Sequence, residues 1–131
     1  MKELSAGLNL EDNVSLTLDN IHELTKKFAC EKNIDMVLIT MSDKGMAFYD
    51  RTADKFYHQE AFTRRVADPS GAGDTVISVS TLFLWAMESM EMTCLASNLA
   101  GGLVCEYVGV VPINTAQLKN EILKNQGVDL A

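Results

Sequence analysis

At 131 residues, 47% of them hydrophobic, the chain has the size and apolar content of one compact domain with a core of its own, too rich in core-forming side chains for a disordered segment. The formal charge of −7 excludes the broad basic surface that nucleic acid or an anionic membrane requires. Any phosphate must therefore be held by local donors: backbone amides, a few basic side chains or a metal.

The first residues carry Glu3, Glu11 and Asp12 where a secretory leader would have its apolar centre, and the longest apolar-rich run, residues 76–87, is too short to span a bilayer. The chain reads as a soluble cytoplasmic protein. Cys30, Cys94 and Cys105 contain no C-x-x-C pair and are expected to be reduced and packed. Along the chain, "SLTLDNIHELTKKFACEKN" sets Leu18, Ile21, Leu24, Phe28 and Ala29 at helical spacing, with Ser15 or Thr17 available as the cap. The short apolar run "DMVLIT" follows as a strand, and helix then strand suggests an α/β layer. "GMAFYD" and "KFYHQEAF", separated by the turn-like "RTAD", read as a hairpin or as two short neighbouring strands. "GDTVISVSTLFLWAMESM" is apolar on most sides, which predicts a helix sandwiched between layers, with Trp85 in the core. Met92, Leu95, Leu99 and Leu103 mark one face of the next helix, and "NTAQLKNEILKNQG" is an amphipathic helix capped by Asn114 or Thr115.

Between the strands and the apolar helix lies "RRVADPSGAGDTVISV", with Gly71, Ala72 and Gly73 followed at once by Asp74. A loop entering a helix leaves backbone N–H groups without intrahelical partners, and such a place attracts anions. The stretch contains neither G-x-x-x-x-G-K-[ST] nor G-x-G-x-x-G, and on its own a G-A-G-D is as well explained by turn geometry and helix capping. Arg64 and Arg65 are within reach of the loop, although a basic pair here is expected to face water, as is Lys44. His22 and His58 have no acidic or cysteine partners at metal-ligand spacing.

Taken together, Asp68, Pro69, Ser70, Gly71, Ala72, Gly73, Asp74 and Thr75 resemble the second signature of the PfkB, or ribokinase-like, carbohydrate kinases, with Pro69 departing from it. "VLITMSDKGMAFYD" is similar to that family's strand, T-x-G-x-x-G loop and strand, with Ser42 in place of the first glycine. "ASNLAGGLVCEYVGV" resembles the helix and loop that close its nucleotide pocket. Within the family the nearest resemblance is to the heptose-7-phosphate kinase module of ADP-heptose synthesis.

The resemblance implies a ribokinase-like three-layer α/β/α sandwich of which this chain is the C-terminal half, one domain over residues 1–131. It implies phosphorylation of a sugar or sugar phosphate by ATP with Mg²⁺. Asp74 would be the base, the amides of Gly71, Ala72 and Gly73 the anion hole, and Thr40, Ser42, Gly45, Asn98, Gly101 and Gly102 nucleotide contacts. Asp68 would help hold a monovalent cation or, as an Asp before proline, only form a turn. A metal-linked N-x-x-E motif would put its glutamate at Glu3 and its asparagine before Met1. The expected partners are the sugar, and a second copy or a missing N-terminal half. The alternatives are a non-catalytic nucleotide-binding module of the same fold and a plain α/β domain whose glycine loop only turns the chain.

Overall fold

The computed structural model describes residues 17–62 and 64–127, which fall into two compact units divided between His58 and Gln59. Among the described residues, the first unit opens with α1 (Leu18–Lys32). Thr17 caps it by accepting the Asn20 N–H at 3.3 Å, and Asn33, left-handed at φ 54°, closes it by donating to the carbonyls of Ala29 and Cys30. Ile21, Thr25 and Ala29, four residues apart, form its buried face. Three short strands follow: β1 (Met36–Thr40), β2 (Met46–Asp50) and β3 (Lys55–Gln59), in the order β1-β2-β3. β1 and β2 are antiparallel, Met36 opposite Asp50 and Thr40 opposite Met46, joined through a 3₁₀ turn at Ser42–Lys44. The central strand β2 is buried from Met46 to Tyr49. Ile21 packs with Ile39, Met41 and Ala47, flanked by Val37 and Phe56. The turn into β3 is held by Asp50, whose carboxylate accepts the Thr52 and Ala53 amides at 2.8 and 3.1 Å, and by Asp54, which accepts Lys26 Nζ at 2.8 Å and the Tyr49 hydroxyl at 2.9 Å.

Among its described residues the second unit holds three helices, α2 (Ala72–Trp85), α3 (Met90–Val104) and α4 (Thr115–Asn125). Ser89 caps α3 through the Met92 amide at 3.1 Å, and Asn114 caps α4 through the Gln117 amide at 3.0 Å. Their core is Val79, Ala96, Leu99, Ala100, Leu103 and Leu118, with Phe62, Phe83, Leu95, Ile113 and Ile122 around it. Where α2 meets α3, a Cβ on Gly101 would lie 2.7 Å from Val76 Cγ2, so the missing side chain is what lets the helices touch. Beside that contact the Ser80 hydroxyl donates to the Val76 carbonyl at 2.7 Å and accepts from Ser97 at 2.7 Å, so the buried hydroxyl pair is satisfied between the helices.

The helix read as sandwiched is therefore the wrong one. α3 buries nine residues, from Thr93 to Val104, whereas α2 buries only Val76, Val79 and Ser80. Trp85, expected in the core, is 83% exposed, and Ile77, Leu82 and Met87 are exposed beside it. Hydropathy records what a helix is able to bury, and among the described residues nothing covers that face of α2. The glycines and small residues of α3, weak in hydropathy, are what two neighbours can pack against closely. Among the described residues no helix is long and apolar enough to cross a membrane.

Candidate functional site

The site grows out of residues 64–74 of the second unit. Ala67 and Asp68 donate their amides to the Cys105 carbonyl at 2.8 and 3.1 Å, fixing the incoming chain to the end of α3. Both oxygens of Asp68 are then used: Oδ1 accepts the Ser70 amide and Oδ2 the Gly109 amide, each at 2.9 Å. The Ser70 hydroxyl, the Ser70 amide and the Gly109 amide all hold the Asp68 carboxyl below its ordinary range. A tight turn follows, closed by the Ala72 amide donating to the Pro69 carbonyl at 3.2 Å. Gly71, at φ 79° and ψ −2°, takes its third position, the dihedral of a type II turn that glycine alone adopts without strain. Pro69 gives that turn only its carbonyl, which proline retains.

Gly71 is also the N-cap of α2 and has no side chain to serve the first amides. Ala72's amide is spent on the turn, while those of Gly73 and Asp74 find no protein acceptor among the described residues. A Cβ on Gly73 would meet nothing within 4 Å, so the space over these amides is open, whereas one on Gly71 would lie 3.0 Å from Val110. Asp74 is exposed in the first turn of the same helix, with its carbonyl accepting the Ser78 hydroxyl at 2.7 Å. Past Val110, an apolar cavity of about 290 Å³ opens between the end of α3 and the start of α4, lined among others by Leu103, Tyr107, Val111 and Ile113, with Asn114 and Gln117 as its polar edge.

Residues 2–116 match the pfkB family of carbohydrate kinases. The chain belongs to that family. It is 32% identical over 124 residues to the bifunctional protein HldE of Blochmanniella floridana, covering 95% of this chain and 25% of that one. To HldE of Haemophilus influenzae strain Rd it is 35% identical over 106 residues, covering 81% of this chain and 22% of that one. This pfkB chain thus spans about a quarter of the length of the curated relatives it matches. In fold it is similar to phosphofructokinase-2 from Escherichia coli, solved in complex with potassium, with a TM-score of 0.83 at 18% identity over 96% of this chain and 39% of that one. It is similar also to Arabidopsis thaliana ribokinase complexed with ribose and ATP, with a TM-score of 0.78 at 22% identity, covering 92% and 38%. The α/β fragment seen here is therefore part of a ribokinase-like fold.

The residues singled out from the sequence of this pfkB chain fall into separate groups. Asp68, Gly71, Ala72, Gly73 and Asp74 come together as one continuous loop and helix start. On α3, Asn98 donates to the Glu60 carbonyl at 2.7 Å, Gly101 faces Val76, and Gly102 faces the Arg64 side chain at 3.0 Å from a built Cβ. Thr40, Ser42 and Gly45 belong to the first unit, at the end of β1 and around the 3₁₀ turn, where the Met41 amide donates to the Gly45 carbonyl at 2.8 Å. Ser42 is left-handed at φ 55°, the backbone a glycine takes freely. Glu3 lies outside the described residues.

Arg64, expected to face water, does not. Its side chain is 14% exposed and forms ion pairs with Glu106 and Glu121, each at 2.7 Å. Sequence spacing had no access to this triad, because its members lie 42 and 57 residues apart. The apolar cavity was missed for the same reason. One signal was present, the paired glycines of α3, since a helix gives up side chains only where something comes close.

Proposed function

We propose that this chain is the nucleotide-binding portion of an ATP-dependent sugar kinase acting on a sugar or sugar phosphate hydroxyl, with heptose 7-phosphate the first substrate to test. The observation that carries this is the opening turn of α2, where two amides without acceptors and an exposed carboxylate share one open space in a chain of the carbohydrate kinase family. Such an enzyme works in the cytoplasm, where nucleotide is available.

When bound, Mg·ATP supplies the phosphoryl group, with Mg²⁺ carried by its phosphates. The Gly73 and Asp74 amides, with that of Gly71 beside them, hold the negative charge that collects on the phosphate oxygens, in an arrangement fixed before the reaction begins. Asp74 accepts the proton of the sugar hydroxyl. A carboxylate is a weak base toward a free alcohol, but the hydroxyl turns acidic as its oxygen bonds to phosphorus, so a positioned carboxylate suffices late in the step. The apolar cavity beyond Val110 would seat the adenine among apolar side chains, with the amide groups of Asn114 and Gln117 at its edge. Thr40, Ser42 and Gly45 are assigned to the nucleotide on the resemblance alone. With three donors on its two oxygens, Asp68 keeps one acceptor site, which suits it to a monovalent cation beside the loop. Partners of the chain are a second copy or the segment that completes the fold, meeting it on the exposed apolar face of α2.

In the complete protein, Asp74→Asn is expected to lower turnover by about a thousandfold or more while Mg·ATP affinity holds, since charge is lost without shape. A variant keeping over about a tenth of the turnover excludes Asp74 as the base. A second reading, a nucleotide-binding module without turnover, is favoured by Ser42, which places a strained residue where the family has glycine. Mg·ATP binding with no turnover of any sugar by the complete protein selects it.

A further inference from the structure

We propose that Arg64 is a positioning residue that clamps the segment leading into the glycine loop against α3 and α4, and so sets where the Gly73 and Asp74 amides point. The proposal rests on reading that loop as the phosphate seat. Its basis is a set of contacts that join one short segment to the far end of α3, to the residues just after it and to α4. Arg64 pairs with Glu106 just past α3 and with Glu121 on α4. Its stem lies over Gly102, where a built Cβ would stand 3.0 Å from Cδ. Three residues on, the amides of Ala67 and Asp68 bond the carbonyl of Cys105, the neighbour of Glu106, and Asp68 reaches the Gly109 amide. The turn at Pro69–Ala72 starts directly from this fixed stretch and rests on Val110. Arg64, Ala67, Asp68 and Gly71 thus each meet residues 102–110, and Arg64 also reaches α4.

A buried or half-buried ion pair is poor evidence for added stability, because desolvation offsets the attraction, and its best-attested use is to fix one geometry among several. The triad here has that character. Arg64 Nε is buried with no hydrogen-bond partner among the described residues, a cost that a purely stabilising contact would avoid. The two carboxylates need the fork of a guanidinium, since one terminal nitrogen serves Glu106 just past α3 and the other Glu121 on α4. Lysine, a single point charge, serves one carboxylate at a time.

The test is amide hydrogen exchange and Mg·ATP calorimetry on the full chain, comparing wild type with Arg64→Lys. The exchange of the Ala67, Asp68 and Ala72 amides is expected to speed about tenfold or more, with the amides inside α2 and α3 unchanged, and Mg·ATP to bind about tenfold more weakly. Glu106→Ala, which leaves Arg64 in place but unties it from α3, is expected to give the same loop-limited pattern, and decides the matter if Arg64→Lys does not fold. Exchange that quickens evenly through residues 59–127, or that leaves the loop as in wild type, overturns the proposal. If wild type binds no Mg·ATP, the functional reading falls, while loop-limited exchange still establishes the clamp.

Discussion

Ser42 is a single residue whose backbone and identity disagree. At φ 55° it sits where an L side chain crowds its own carbonyl, a cost of roughly 1–2 kcal/mol that glycine does not bear. Glycine also loses more freedom on folding, so Ser42→Gly is expected to stabilise the first unit by about 0.5–1 kcal/mol, seen as a higher urea midpoint at unchanged slope. An unchanged or lower midpoint would show that the Ser42 side chain compensates for the strain. Glu121 offers a test by pH. The Arg64 hydrogen bond, ahead of a smaller one from Lys124, holds its carboxyl below the ordinary 4.5. A folded pKa below the unfolded one means the carboxylate adds stability above the unfolded value and loses that addition as pH falls through the folded one. Glu121→Gln is therefore expected to lower the melting temperature most near neutral pH, with the two proteins converging in acid. A gap that widens on acidification would refute this.

Between elements, the closest approach is that of Gly101 to Val76. Gly101→Ala gains about 1 kcal/mol in helix propensity but drives a methyl to 2.7 Å from Val76 Cγ2, and overpacking of this kind costs about 1–3 kcal/mol. Val76 has little room to turn aside, since a β-branched side chain in a helix keeps one rotamer. A net loss is expected in wild type, and a neutral or stabilising effect in a Val76→Ala background; equal effects in both would place the strain elsewhere. The same contact shows why the helices were only partly legible in sequence. α1, α4 and the strands follow local periodicity, and capping chemistry narrows each cap to two candidates, of which Thr17 and Asn114 serve. Which of α2 and α3 lies inside is decided by partners far along the chain. The glycine loop was visible because its turn and helix start are contiguous, whereas the Arg64 triad exists only after α3 and α4 have packed.

For the molecule as a whole, the largest consequence lies on the outer face of α2. Asp74, Ile77, Ser78, Thr81, Leu82 and Trp85 recur at three- and four-residue steps on one exposed face that opens at the candidate site. Its Ser78 and Thr81 hydroxyls donate back to the Asp74 and Ile77 carbonyls, each at 2.7 Å, so these two polar members of the stripe are suited to being covered. An apolar surface of this kind promotes association. Sedimentation is expected to show mass rising with concentration, and Leu82→Glu to hold the chain monomeric with the helices intact. A wild-type monomer at every concentration would show that the stripe tolerates water.

Trp85 closes that stripe and is the chain's single tryptophan, 83% exposed. The protein therefore carries its own optical probe at the place where a covering surface must land. In dilute solution its fluorescence should resemble that of free indole, red-shifted and readily quenched by acrylamide. Whatever docks on α2, a second copy or a completing segment, moves this one indole from water into an apolar contact. The emission then shifts to the blue and quenching falls, with no other tryptophan to dilute the change. A titration read at this residue counts occupied faces directly, and Mg·ATP added to the same cuvette reports whether filling the mouth of the helix alters what its far end can bind.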